Sequence, residues 1–171
     1  MTDTIKYEGR FIELVNRDGW EFIRRTNASA VVAIAALTDE NEVILIEQTR
    51  KPLGADGERV IEIPAGLVGD DVADDTVLDA ARRELIEETG YTAQELEIVS
   101  RGPSSAGQSN EIITLVKGKG LTRVGEGGGI DGEDIVTHTV PLAEVKGWLQ
   151  AREAEGLWVD PKVWAALYWL G

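Results

Sequence analysis

The sequence predicts a mixed α/β (α+β) fold, in which strands dominate the first part of the chain and helices close it. Three patterns support this prediction: short alternating or β-branched apolar stretches before Pro64, a helical pattern at 75–89, and helical patterns at 142–155 and after Asp160. A chain of 171 residues has the usual size of one domain. Its 43% apolar and 28% charged residues exclude the disordered and low-complexity classes.

Strands are predicted where apolar residues alternate or run together between turn residues. The first two flank the turn at 16–19, and the apolar run 30–37 is suited to a strand buried on both faces. The predicted strands are 11–15, 20–25, 30–37, 43–49, 60–64, 96–100, 112–117 and 135–140.

The helices are predicted from their first and last residues. We expect Asp74 or Asp75 to cap the central helix and Gly90 to end it. The pair Asp160-Pro161 is typical of the cap and first residue of the last helix. The glycine-rich, acidic stretch 121–133 is predicted to be a mobile loop.

Composition excludes several classes of protein. There is no cysteine and His138 is the one histidine, which excludes disulfide scaffolds, thiol nucleophiles and Cys- or His-rich metal sites. A formal net charge of −14 disfavours nucleic acid and anionic membranes as partners and suits a protein that collects divalent cations. The apolar run 30–37 is too short for a membrane span and the N-terminus has no leader pattern, so we expect a cytoplasmic protein.

The central helix has acidic residues where apolar ones are expected. Its apolar stripe leads onto Glu84 and Glu88, and Glu87 lies beside them. Like charges at these spacings destabilise an isolated helix by roughly 0.2–0.5 kcal/mol per pair. A hard divalent cation such as Mg²⁺ or Mn²⁺ would remove that repulsion. The alternative is a solvated acidic face on which Arg83 pairs with Glu87.

Residues 83–91, Arg-Glu-Leu-Ile-Glu-Glu-Thr-Gly-Tyr, resemble the second half of the Nudix box, R-E-U-x-E-E-x-G-U. In the first half of the box, Asp75 occupies the position where the family usually has glutamate. The box glycine is either Gly66, with three inserted residues, or Gly69. We favour Gly66, because Pro64-Ala65-Gly66 is the usual strand end of the family. Four further stretches resemble the ADP-ribose pyrophosphatase branch, namely 47–50, 62–66, 105–111 and 131–134.

The resemblance covers about residues 11–170 and implies a Nudix-type α/β/α sandwich with a mixed sheet at 29–171. A small antiparallel strand region at 1–28 would precede it and would exchange strands in a homodimer. The implied reaction is Mg²⁺-dependent hydrolysis (Mn²⁺ being the other candidate ion) of the pyrophosphate bond in a nucleoside diphosphate derivative. ADP-ribose or another ADP-sugar is the expected substrate, giving AMP and a sugar phosphate.

The resemblance also implies roles for individual residues. Glu84 and Glu88 would bind metal with the Ala65 carbonyl, and Glu87 would be a further ligand or a partner of those ligands. Arg83 would orient Glu87. The general base would be Glu133, with Asp131 as the alternative.

The substrate-binding set implied by the resemblance lies outside the box. Arg50 would bind phosphate or terminal ribose, and Glu111 the ribose hydroxyls, with Glu62 in the same set. Trp20 or Phe22 would stack on the base.

Three alternatives stay open at this point. Members of the branch typically carry proline where this chain has Ala106, which leaves another NDP-sugar or a dinucleotide as the substrate. A Nudix-fold protein that senses nucleotides without cleaving them is the second alternative, although such proteins typically lose box glutamates. The third is an acidic scaffold that binds Ca²⁺ at 131–134, for which the full EF-hand ligand pattern is absent.

Overall fold

The computed structural model of the chain describes residues 2–54, 57–69, 75–130 and 132–171. These residues form eleven strands and three α-helices. The strands are β1 Asp3–Glu8, β2 Ile12–Arg17, β3 Trp20–Arg25, β4 Ala30–Ala36, β5 Glu42–Arg50, β6 Glu58–Glu62, β7 Ala65–Val68, β8 Tyr91–Pro103, β9 Ile112–Arg123, β10 Ile135–Pro141 and β11 Trp158–Val159. The helices are α1 Val77–Thr89, α2 Val145–Ala154 and α3 Pro161–Leu170.

The first three strands form an antiparallel sheet of their own, in the order β1-β2-β3. The predicted turn is present between β2 and β3, with positive φ at Asp18 (51°) and Gly19 (92°). Strand β1 was missed, because all of its side chains are exposed and its sequence carries no buried face. The sheet joins the rest of the chain through β3, where the Ile23 N–H donates to the Gln108 carbonyl over 2.8 Å.

Two four-stranded sheets make up the body of the protein, in the orders β10-β5-β6-β11 and β7-β4-β9-β8. Strands β4 and β9 are parallel, as are β6 and β11, whereas the other pairs are antiparallel. The mixed α/β class predicted from the sequence is therefore confirmed.

Strand β4 is buried on both faces, as its apolar run predicts. Ala33 and Ala35 pack into a core with α2 and α3, whereas Val32 and Ile34 pack on the opposite face. That second face is covered by α1 through residues such as Leu85. Strand β4 therefore lies in the middle of the layered structure, and α1 is held firmly against it.

Helix α1 begins two residues later than predicted. Its N-cap is Thr76, whose Oγ1 accepts a hydrogen bond from the Asp79 N–H over 3.2 Å. The prediction of Asp75 as the cap was wrong, because its side chain is buried instead, 3.6 Å from Arg83 Nη2. Asp74 lies outside the described residues. Gly90 ends the helix in the left-handed conformation (φ 75°), as predicted.

Other element bounds differ because pairing, not periodicity, sets them. Strands β8 and β9 pair along almost their whole length, from Tyr91↔Arg123 to Pro103↔Ile112. Residues 121–123 therefore belong to β9, although we predicted a loop from 121. Strand β7 was also missed, because the residues that pair with β4 follow a proline and include a glycine.

None of the helices in the described part of the chain is long and apolar enough to cross a membrane.

Candidate active site

A cavity of about 470 Å³ opens between β5, β6, β7, the start of α3 and the last two turns of α1. Acidic and basic side chains both line it. The acidic ones are Glu62, Glu84, Glu87, Glu88, Glu111 and Glu133. The basic ones are Arg25, Arg50, Arg83 and Lys162. Anionic and cationic groups thus line the same cavity. Such a lining suits a negatively charged substrate that binds together with a cation.

The carboxyl group of Glu84, on helix α1, lies directly against Gly66 of β7. A Cβ there would overlap the carboxyl group of Glu84. Gly66 is the residue that we favour as the box glycine, and its close neighbour is a carboxylate of the same chain. This contact places the Glu84 carboxyl group against β7, and Glu84 lines the cavity at that point.

Glu88 is a buried carboxyl group at the same wall. It is 5% exposed, and its Oε2 accepts a hydrogen bond from the Ala65 N–H over 2.9 Å. Burial raises the pKa of Glu88 to about 8, the Ala65 N–H opposes that rise, and nearby Glu84 and Glu133 add to it. A cation beside this group would favour its ionised form.

Arg83 lies between the acidic groups of α1. Its Nη1 is 2.7 Å from Glu84 Oε1 and 3.2 Å from Glu87 Oε2, and its Nη2 donates to the Leu67 carbonyl over 3.1 Å. The predicted Arg83–Glu87 pair is therefore present, and the arginine also contacts Glu84. Within the described ranges, no three acidic or histidine side chains already surround a single point in the manner of a metal site.

Arg50 also lines the cavity, where Glu62 holds it. Arg50 Nη2 lies 2.6 Å from Glu62 Oε2, and Arg50 Nε lies 3.0 Å from the same oxygen. Gln48 Nε2 donates to that oxygen as well, over 2.7 Å. Since Glu62 is 6% exposed and Arg50 extends into the cavity, Glu62 orients the arginine in this structure.

Two cationic residues of the cavity were missed from the sequence. Arg25, at the end of β3, lies 3.2 Å from Glu111 and brings the N-terminal sheet to the cavity rim. Lys162 lies in the first turn of α3, where its side chain pairs with Asp160, the helix cap. The Asp160-Pro161 signal places Lys162 at a helix start, but no local pattern says that this start lies beside the cavity.

The remaining predicted residues are divided between the cavity and other places. Glu133 lines the cavity, where its Oε2 accepts a hydrogen bond from the Ile130 N–H over 3.1 Å. Asp131, the alternative base, lies outside the described residues. Trp20 is 63% exposed, and Phe22 is buried under the Arg17 guanidinium. Neither aromatic ring is among the described residues that line the cavity of its own chain.

A family model described as the NUDIX domain matches residues 27–165. Among curated proteins, the chain is 38% identical over 116 residues to a methanol dehydrogenase activator of Bacillus methanolicus, covering 68% of this chain and 58% of that protein. It is 36% identical over 125 residues to an ADP-ribose pyrophosphatase of Bacillus subtilis, covering 71% and 63%. It is 32% identical over 144 residues to a GDP-mannose pyrophosphatase of Cronobacter sakazakii, covering 77% and 72%. The chain thus matches less than two thirds of the length of the first two relatives.

A solved structure described as an ADP compounds hydrolase has the same fold. It superposes with a TM-score of 0.73 at 21% identity, over 98% of this chain and 89% of the other. At that identity the likeness concerns the fold alone.

Proposed function

Because the chain belongs to the NUDIX domain family, we propose that it hydrolyses the pyrophosphate bond of a nucleoside diphosphate derivative. The proposed substrate is ADP-ribose or another ADP-sugar, and the products are AMP and a sugar phosphate. The observation that carries this proposal is a single cavity that is lined both by the box glutamates and by Arg50. The ADP-ribose pyrophosphatase relative and the stretches quoted from that branch support the choice of substrate.

A divalent ion, Mg²⁺ or Mn²⁺, fits the donors available at the α1 wall. Glu84, Glu87, Glu88 and the Ala65 carbonyl offer only hard oxygen ligands, which these ions prefer. The buried Glu88 is the specific sign of fit, because its ionised form is unfavourable without a neighbouring cation. When bound, such an ion would neutralise charge on the pyrophosphate oxygens and lower the pKa of a coordinated water.

The cationic side chains would hold the anionic substrate. Three hydrogen bonds to Glu62 orient the Arg50 guanidinium, which lines the cavity and could bind phosphate oxygens there. Arg25 and Lys162 would add charge at the rim and at the start of α3. Glu111 would accept hydrogen bonds from ribose hydroxyls in place of its present contact with Arg25.

Glu133 would act as the general base. It takes the proton of the water that attacks one phosphorus, and the bond between that phosphorus and the bridging oxygen breaks. The bridging oxygen leaves with the other phosphate, so that ADP-ribose and water give AMP and ribose 5-phosphate. The hydrogen bond from the Ile130 N–H holds the Glu133 carboxylate at the cavity edge before substrate binds.

The protein would act as a cytoplasmic homodimer that pairs through the N-terminal strand region. Large apolar side chains of that region are exposed in a single chain, namely Ile5, Tyr7, Phe11, Ile12 and Trp20. Trp20 and Phe22 would then stack on a base only if a second copy supplied them, since neither lines the cavity of its own chain.

The test is product analysis on a panel of substrates. Purified protein with Mg²⁺ is incubated with ADP-ribose, UDP-glucose, GDP-mannose, NADH and a diadenosine polyphosphate, and the products are identified by chromatography. Fastest release of AMP and ribose 5-phosphate from ADP-ribose supports the proposal. Absence of turnover with any substrate, with Mg²⁺ or Mn²⁺ and in protein that melts cooperatively, contradicts it.

A second candidate substrate is another NDP-sugar. The similarity to a GDP-mannose pyrophosphatase and the alanine at position 106 favour it. Faster cleavage of GDP-mannose than of ADP-ribose in the same panel would select this candidate.

A further candidate function is activation of another enzyme. The Bacillus methanolicus relative is named a methanol dehydrogenase activator. Retention of Glu84, Glu87 and Glu88 favours catalysis instead, and the same substrate panel distinguishes the two functions.

A further inference from the structure

The loop between β9 and β10 carries Glu133, and its first part is bound to the end of α1. The Gly128 N–H donates to the Glu88 carbonyl over 2.9 Å, and the Gly129 N–H donates to the Glu87 carbonyl over 3.0 Å. Carbonyls in the last turn of a helix lack partners within the helix, so the loop supplies them. The loop is thereby tied to the backbone of residues whose side chains line the cavity.

This docking requires glycine. Gly127 has φ 73°, and a Cβ on it would lie 2.5 Å from the carbonyl carbon of Thr89. Gly129 has φ 83°, and a Cβ on it would lie 2.5 Å from Oε2 of Glu133. Both residues therefore combine a left-handed backbone with a close approach that any larger residue would prevent. The glycine-rich stretch was predicted to be a mobile loop, but at these positions it packs closely against the end of α1 and Glu133.

The second anchor of the loop lies on its other side, directly after Glu133. Arg59 Nη1, on β6, lies 2.9 Å from Oδ2 of Asp134. Arg59 Nε donates to Glu47 on β5, and Glu47 Oε2 lies 2.9 Å from Nε2 of His138 on β10. The arginine is thus fixed by groups from two neighbouring strands of one sheet.

Neither Arg59 nor Asp134 lines the cavity. The side chain of Asp134 is 74% exposed, so an ion pair at this place adds little to the stability of the fold. The ion pair does, however, join the residue adjacent to Glu133 to β6. Displacement of a catalytic group by about 1 Å is enough to lower a rate by up to about 100-fold.

We propose that Arg59 is a positioning residue that acts through Asp134, and that together with the docked segment Gly127–Gly129 it holds Glu133 at the cavity edge. The proposal rests on the proposed function, in which Glu133 is the base. It assigns a role in the reaction to an arginine that does not line the cavity.

The first test removes the exposed end of the ion pair. In Asp134→Ala, kcat for the substrate selected by the panel should fall roughly 10-fold, while KM changes by less than about twofold and Tm is unchanged. Glu155→Ala is the matched control, since it removes the exposed carboxylate of the Arg152 ion pair on α2, and it should keep full activity. Unchanged kcat in Asp134→Ala overturns the proposal.

The second test asks whether the effect passes through Glu133. Arg59→Gln should lower kcat as Asp134→Ala does, and Arg59→Lys should recover part of the loss because it restores the charge. In a Glu133→Gln background, Asp134→Ala should cause no further loss, because residues that act as a unit are not additive. A full additional loss in that background overturns the positioning role.

These measurements separate failure of the inference from failure of the proposed function. If Glu133→Gln itself retains kcat, then the assignment of the base is wrong, whatever the Asp134 variant does. If Glu133→Gln loses activity but Asp134→Ala and Arg59→Gln do not, the base stands and the positioning role falls.

Discussion

The Cα of Gly66 lies so close to the Glu84 carboxyl group that no β-carbon fits between them. This contact joins β7 to α1 at the wall of the cavity, beside Ala65, whose N–H is bonded to Glu88. The strand end and the helix end are therefore a single structural unit. A change at either one is expected to move the carboxylates that we propose as metal ligands.

Gly66→Ala should lower kcat about 100-fold, because the methyl group pushes the Glu84 carboxyl group out of its present position. Steady-state kinetics and thermal melting measure both effects. Gly102→Ala is the control, since a Cβ at Gly102, on β8, meets nothing within 4 Å. Full activity in Gly66→Ala would show that the Glu84 position does not matter to the reaction.

The metal-free protein should lose stability as pH rises from about 4.5 to about 8. The folded pKa of Glu88 is raised to about 8 from an ordinary value of 4.5, so the folded state binds more protons than the unfolded state in this window. The penalty is complete above pH 8 and is on the order of a few kcal/mol.

Glu88→Gln should remove this pH slope, because the amide does not ionise. Tm measured in EDTA from pH 5 to 9 compares the two proteins. Addition of Mg²⁺ should raise the Tm of the wild type most at the alkaline end, and that of the variant less. Identical pH slopes in both proteins would contradict the buried position of Glu88.

Arg50→Lys should raise KM about 10-fold, because lysine cannot keep both the contact with Glu62 and a paired contact with phosphate. Arg152→Lys is the matched control, since Arg152 also pairs with a glutamate but on the distant helix α2. An unchanged KM in Arg50→Lys would remove Arg50 from the substrate site.

Lys162→Gln should also raise KM, by about fivefold to 10-fold, since it removes a positive charge from the cavity. Lys146→Gln, an exposed position on α2, removes the same charge elsewhere and should be silent. Equal effects of the two variants would mean that only the net charge of the protein matters.

Glu133→Gln should lower kcat about 100-fold or more with little change in KM, as expected for loss of a general base. Asp131→Asn, two residues away, tests the alternative base. A loss that occurs in Asp131→Asn alone would transfer the role to Asp131.

Much of the fold could be predicted because local patterns agree with tertiary packing. Strand β4, Ala30–Ala36, is one example, because a continuous apolar run indicates a strand buried on both faces. The end of α1 at Gly90 is another, because glycine is typical of the left-handed residue that ends a helix. Strand β1 had no such signal, because it buries no side chain and depends on pairing with β2. The start of α1 was misplaced because Asp75 and Thr76 are both good caps and only tertiary contacts decide between them.

The candidate site was predictable where residues are close along the chain. Glu84, Glu87 and Glu88 share one helix end, so their clustering follows from helical spacing. Arg25 and Lys162 come from β3 and α3, far apart in sequence, and only the folded chain brings them to the same cavity. The Arg59–Asp134 ion pair joins positions 75 residues apart and could not be found from spacing either.

The most direct test of the account is the rate of AMP release from ADP-ribose with saturating Mg²⁺ by the wild type and by Glu84→Gln, with Glu153→Gln on α2 as the control. We expect AMP and ribose 5-phosphate from the wild type and the control, and a loss of at least about 100-fold in Glu84→Gln with an unchanged melting curve. Comparable rates in all three proteins would contradict the proposal that the glutamates of α1 carry out the reaction.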